Sequence, residues 1–298
     1  METRTHIETP PQAFLRQFRS SRLALLGVFL LLAMIVAAIL APWIAPQNPY
    51  DLARIDVLDA RLPPGAMSAE HGIRYLLGTD EQGRDMLSAI LYGMRISVFV
   101  GVASTVIALA IGLALGLLAG YVGGKIEGII MRVADIQLSF PSILIALILL
   151  ALLGPGIDKI VLALVAVQWA YYARTARSAA LVERRKEYIE AAVGLGLPPS
   201  RIVFRHLLPN CLPPLIVVAA LQVASAISLE ATLSFLGLGL PVTEPSLGLL
   251  IANGFNYLLS GKYWISLFPG IALLALIVAI NLVADQLREV LNPRLQTL

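Results

Sequence analysis

The chain has a single cysteine, Cys211, so no intrachain disulfide framework can exist. Its three histidines, His6, His71 and His206, lie far apart, and no His/Cys spacing suits a metal. Charge is also scarce. Only 14% of the 298 residues are Asp, Glu, Lys or Arg, against roughly 25% in an average soluble domain. A disordered chain is excluded, and an ordinary soluble enzyme fits poorly. No phosphate-loop sequence occurs anywhere. The chain is instead 58% hydrophobic, with mean hydropathy +0.82, values that point to lipid as its main solvent. The net charge of +3 does not indicate nucleic acid, because the basic residues lie between apolar runs and form no single face.

Crossing a bilayer takes roughly 20 apolar residues. Six runs are expected to cross: Leu23 to Ala41, Ile96 to Gly124, Ile136 to Ile157, Ile160 to Ala173, Leu207 to Leu229 and Tyr263 to Ala284. The fourth has only 14 uncharged residues, and its length alone also allows a buried or re-entrant segment. Its terminal Trp169, Tyr171 and Tyr172 fit a membrane interface. With six crossings and a cytoplasmic N-terminus, 15 of the 22 Lys and Arg fall on inner segments, as the positive-inside rule requires, and both termini lie inside. Ser246 to Gly261 reads as an amphipathic outer or re-entrant helix. The resulting division is an inner tail at 1–22, a first span with an outer segment at 23–95, a five-span core at 96–285 with an inner loop at 174–209, and an inner tail at 286–298.

Within the spans, Ala108, Gly112, Gly116 and Gly120 form one small-residue face, suited to packing within a bundle or to a dimer seam. Gln168, Gln222, Ser225, Ser228 and Asn281 can line a pathway or join helices by hydrogen bonds. Glu230 is a carboxylate at a span end, suited to a structural partner or to substrate. The block from Gly78 to Asp85 has glycines at phosphate-loop spacing, but Arg84-Asp85 replaces the required Lys-Ser/Thr. A capped turn leading into the second span is the simpler reading. His71, Asp80, Glu81 and Asp85 are the alternative, an outer metal or acid–base site.

The inner segment from Arg174 to Pro209 reads as two helices. One is alanine- and charge-rich up to Ala192, and Gly194 and Gly196 break it. The other covers Arg201 to Leu208 and ends at Pro209. Such a helix–turn–helix can plug a groove on another protein. A simpler role for Glu190 is pairing with Lys186, four residues earlier.

The pattern Glu190-Ala191-Ala192, Gly196, then His206, Leu207, Leu208 and Pro209 resembles the EAA motif of bacterial ABC importer permeases. His206 departs from it, since the pattern expects Ile. Leu77-Gly78-Thr79-Asp80-Glu81-Gln82-Gly83-Arg84-Asp85, with Leu87-Ser88, resembles the block before the second span in dipeptide, oligopeptide and nickel permeases. Further matches are Arg132, Asp135, Phe140-Pro141, Ser234 to Gly239, and the ending from Asn281 to Pro293.

The resemblance, closest to the second permease of such pairs, implies an all-α integral membrane protein of the type I ABC importer permease fold in the bacterial inner membrane. It implies a homologous permease partner, two ATP-binding subunits and an extracytoplasmic substrate-binding protein. This chain would carry no cofactor and no catalysis; ATP and magnesium would bind the ATPase subunits. It implies that Glu190, Ala191, Ala192, Gly196, His206, Leu208 and Pro209 couple to those subunits. Gln168, Gln222, Ser225 and Glu230 are the candidates for the pathway. Peptide-like solutes are the implied cargo, with nickel chelates, opines and glutathione as competitors. An ion-coupled carrier would need charges deep in the spans and repeated halves, and a membrane hydrolase would need a nucleophile or metal cluster; the sequence displays neither.

Overall fold

The computed structural model describes residues 10–51, 55–68, 72–241 and 243–291. Among them the regular elements are helical, with two isolated bridges, Met67 to Arg74 and Thr79 to Asp85. An amphipathic helix α1 (Pro10–Ser20) precedes α2 (Arg22–Ile39), whose N-terminus is capped by the Ser21 hydroxyl accepting from the Ala24 N–H at 3.3 Å. The short α3 (Ala41–Ile44) opens on Pro42, which cannot continue the preceding helix. The outer segment then leads to α4 (Met86–Val122). This helix starts well before the uncharged run, at its N-cap Asp85, and its 37 residues give a rod about 55 Å long.

The third expected crossing is not one helix. It divides into α5 (Gly124–Leu138) and α6 (Ser142–Leu153), bent by 90° across Ser139, Phe140 and Pro141. Proline disfavours helical geometry in the residue before it, so an apolar run that looks continuous breaks there. The next helix, α7 (Ile157–Glu183), extends far beyond the 14 uncharged residues. By length and composition, four helices can cross a membrane: Arg22–Ile39, Met86–Val122, Pro199–Phe235 and Trp264–Leu291. Counting the bent α5–α6 pair as one span makes five. Helix α7 falls outside this set because it carries polar residues, and it buries one face between neighbouring helices.

The inner segment also departs from the expected two helices. Helix α7 ends at Glu183, and the alanine-rich remainder forms a separate α8 (Glu187–Gly194). Beyond Gly196 come α9 (Pro199–Arg201), a π-helical turn (Ile202–Leu207) and α10 (Leu208–Phe235). Pro209 therefore does not end a helix. It lies inside the continuous helical stretch Pro199–Phe235, directly after the π-helical turn that re-routes the local backbone bonds. The chain closes with α11 (Leu247–Phe255), capped by the Ser246 hydroxyl, and α12 (Trp264–Leu291).

The small-residue face of α4 packs within the chain. A Cβ at Gly112 would fall 2.4 Å from the Trp169 carbonyl oxygen, and one at Gly116 would fall 2.4 Å from that of Ala173. At Gly120 the obstacle is the Ala180 Cβ at 2.7 Å. The three glycines let α4 and α7 approach backbone to backbone, which is the bundle-packing role rather than a dimer seam. The main core joins Val100 and Ala108 of α4 to Leu164 and Ala176 of α7 and Leu215 of α10.

Candidate functional site

Three regions bear on function: a platform before α4, a polar cavity in the bundle and the tip between α7 and α10.

The platform is the Gly78–Asp85 block. The Asp80 carboxylate receives the Arg84 Nε–H at 2.6 Å and the backbone N–H groups of Gln82 and Arg84, both at 2.9 Å. Both side chains are buried, where an ion pair holds only if hydrogen bonds satisfy it. Asp85 caps α4 by accepting from the Ser88 N–H and hydroxyl at 2.7 and 2.6 Å. Gly83 adopts φ +88°, and a Cβ there would strike the Asp56 carbonyl at 2.1 Å. Tyr75, also buried, donates its hydroxyl to Asp59 at 2.8 Å. Burial and that neighbouring carboxylate push the phenol up to about 12. Trp264 Nε1 donates to the Thr79 carbonyl at 3.1 Å, tying the platform to α12. The acidic residues here serve the turn and the helix cap. No cluster of three metal-binding side chains occurs among the described residues, and His71 lies outside them.

The cavity, about 450 Å³, opens among α6, α7, α10 and α12. Gln168, Gln222, Ser225, Ser228 and Asn281 all line it, so five polar residues scattered along the sequence converge on one space. Gln168 also serves helix packing, donating Nε2–H to the Gln222 carbonyl at 3.1 Å. Its Oε1 has no hydrogen-bond partner among the described residues and is an unmet acceptor at the cavity wall. Sequence reasoning missed Tyr171, one turn from Gln168, and Thr232 on α10. Their helical spacing from the named residues was the available signal.

Glu230 is not on this cavity. Its carboxylate is fully buried and accepts from Ser97 of α4 at 2.9 Å and from Ser234 of α10 at 2.8 Å. Ser246, the cap of α11, is a third hydroxyl partner. Three hydroxyls from three elements converge on one carboxylate, so Glu230 knits α4, α10 and the start of α11 together.

At the inner tip, Ile189, Ala192 and Ile202 are buried against each other and join α8 to the π-helical turn. Of the Glu190-Ala191-Ala192 triplet, Glu190 and Ala191 are exposed, and Ala192 faces inward. Lys186 pairs with Glu183 at 2.6 Å, rather than with Glu190. Tyr188 donates to the same Glu183 at 2.6 Å, so the turn between α7 and α8 is fixed. Gly196 has φ +71° and open space around it. Leu208 is half-buried, Pro209 exposed, and the His206 carbonyl accepts from Asn210 Nδ2 at 2.7 Å. Large apolar side chains stand in the open beside these residues: Leu195 is 80%, Phe204 68% and Val193 57% exposed. In the sequence Leu195 reads as part of a less polar stripe with Tyr188, Ala191 and Ala192, whereas Val193 and Phe204 were not selected although they lie inside the matched pattern.

Residues 112–297 match the family model described as the inner membrane component of binding-protein-dependent transport systems. Residues 9–64 match the N-terminal transmembrane domain of oligopeptide transport permease C. The dipeptide transport system permease protein DppC of Escherichia coli K12 is 44% identical over 288 residues, covering 97% of this chain and 94% of the relative. The di/tripeptide transport system permease protein DppC of Pseudomonas aeruginosa UCBPP-PA14 is 38% identical, covering 97% and 93%. In fold, the chain is similar to a subunit of the inward-facing MetNI methionine ABC transporter, with TM-score 0.57 and 22% identity over 69% of this chain and 97% of the other. These matches, over a chain of apolar spans, make it a member of the binding-protein-dependent transport system inner membrane component family, a multi-pass permease of the ABC importer type.

Proposed function

We infer that the chain is the second permease of an ATP-driven importer carrying di- and oligopeptides into the cytoplasm. The observation that carries this reading is the convergence of five polar residues on one cavity inside an otherwise apolar bundle. Polar groups in a membrane interior are costly to leave unmet. A peptide backbone, with alternating N–H and C=O groups, satisfies Gln168, Gln222 and Ser225 without demanding one side chain. The two relatives named for dipeptides and di/tripeptides favour the same cargo.

In this reading α7 is a further crossing between the bent α5–α6 pair and α10, which makes six and places both termini in the cytoplasm. A homologous permease completes the path, a substrate-binding protein delivers cargo from outside, and two ATP-binding subunits hold ATP and magnesium. The exposed Glu190 and Ala191, with Leu195 and Phe204 beside them, form the surface that those subunits grip. Gly196 sets the angle between its two arms; Leu208 and Pro209 join that surface to α10. Nucleotide-driven movement of the tip shifts the balance between inward- and outward-open states because the grip differs in the two.

The test is reconstitution of the permease pair, ATPases and binding protein in proteoliposomes. Uptake of a labelled dipeptide should require ATP and every subunit. Uptake by this chain without ATPases, or no peptide uptake by the full assembly, would overturn the reading.

A further inference from the structure

The seam between α7 and α10 continues inward from the polar cavity. One to two turns beyond Gln168, a second cavity of about 590 Å³ is lined by Arg174, Thr175, Ser178 and Asn210. A third, about 430 Å³, lies between α5 and α7 and is lined by Asp135 and by Arg174 again. Arg174 therefore stands between two open spaces. Its Nη2 is paired with the Asp135 carboxylate, yet the two side chains are 54% and 57% exposed.

This pair is not what fastens α5. Arg177 pairs with Glu127 through Nε at 2.8 Å and through Nη2, and these side chains are less exposed, at 34% and 22%. The Gln137 side-chain amide donates to the carbonyls of Ala166 and Val167. Two other polar clasps thus hold α5 on α7, and an ion pair half open to water adds little stability. The Arg174–Asp135 pair can open without loosening the bundle.

Resting on the peptide-import reading, we propose that Arg174 and Asp135 form a subsite for the charged termini of a free peptide, the guanidinium taking its α-carboxylate and the Asp135 carboxylate an α-ammonium group. The exchange is charge-neutral: one internal ion pair opens and two equivalent ones form. Arginine suits it, because its planar fork accepts a carboxylate bidentately. The spacing also suits it. Arg174 lies six residues from Gln168, about 9 Å along α7. Each extended peptide residue spans about 3.3–3.6 Å. A di- or tripeptide leaving Gln168 meets Arg174 next, and it releases Gln168 when its two termini settle on Arg174 and Asp135. The subsite makes the inner end of the path select for free termini rather than for side chains.

The test uses the complete importer in proteoliposomes and compares a labelled dipeptide with its C-terminal amide and its N-acetyl form. The same binding protein serves every arm, so its own preference cancels when ratios are compared between complexes. Arg174→Gln should lower the free-acid to amide uptake ratio about tenfold, the scale of one charge-assisted hydrogen bond. Arg174→Lys should lower it less. Asp135→Asn should lower the ratio of free to N-acetyl peptide in the same way. Glu127→Gln, which opens only the fastening pair, should change uptake of all three alike. Ratios within twofold of wild type in Arg174→Gln and Asp135→Asn, including no amide uptake by either complex, overturn the subsite and leave the import reading standing. A wild-type assembly that takes up no peptide overturns both.

Discussion

The platform before α4 and the tip between α7 and α10 both contain short turns with a positive-φ glycine, yet they are built oppositely. The platform is closed. Asp80, Arg84, Asp85 and Tyr75 are buried, each with a hydrogen-bond partner, and Gly83 is pressed against Asp56. The tip leaves Leu195, Phe204 and Val193 in the open and is held by the small cluster of Ile189, Ala192 and Ile202 and by the Glu183 contacts of Lys186 and Tyr188. A closed turn is a fixture of one chain, whereas a turn with its apolar side chains outside leaves surface that a partner could cover. Glycine is needed for different reasons too: by close approach at Gly83, and by backbone angle alone at Gly196.

The largest expected effect breaks the platform. Gly83→Ala forces a Cβ against a backbone carbonyl in a left-handed conformation, so it should cost about 3 kcal/mol and markedly lower membrane abundance and the melting temperature in detergent. At the tip the stability cost is smaller and the functional cost larger. Gly196→Val meets no neighbour and should cost about 1–2 kcal/mol for its backbone angle. The chain should still insert, while peptide uptake falls at least tenfold. Uptake at the wild-type level would mean that the angle between α8 and α9 has no role.

A milder probe is Trp264→Phe, which removes the bond to Thr79 and keeps a ring. It should cost about 1 kcal/mol, read as a small shift in melting temperature with transport retained. The smallest effect belongs to Tyr75→Phe, about 1 kcal/mol or less. Because its folded-state pKa is raised to about 12 from 10, the Tyr75 contribution is complete below pH 10 and is lost as pH rises through about 12. Melting curves of wild type and Tyr75→Phe should therefore differ by a constant amount up to pH 10, above which wild type loses stability relative to the variant.

Much of this was legible in the sequence because charge-free runs report directly on lipid. The cap at Asp85 and the helix after Ser246 were equally local. What was not legible depended on distance. The partners of Gly112 and Gly116 lie on another helix, and the Ser97–Glu230 bond spans 133 residues. No local pattern announces such pairings, so Glu230 remained open between substrate and structure. The run from Ile136 to Ile157 reads as one span through Pro141, and the 90° angle there depends on how α5 is clasped to α7 by Glu127 and Gln137. The convergence of Gln168, Gln222, Ser225, Ser228 and Asn281 on one cavity followed only from packing, since each alone reads equally as a helix-joining residue.

Retention of the ATP-binding subunits by tip variants tests the central claim most directly. Leu195→Asp and Glu190→Lys change exposed side chains and leave the Ile189–Ala192–Ile202 contact intact. Measured at equal membrane abundance, both variants should co-purify with far less ATPase than wild type, while an exposed outer change, Leu259→Asp, should not. Wild-type ATPase retention in both tip variants would contradict the account and assign the docking surface elsewhere.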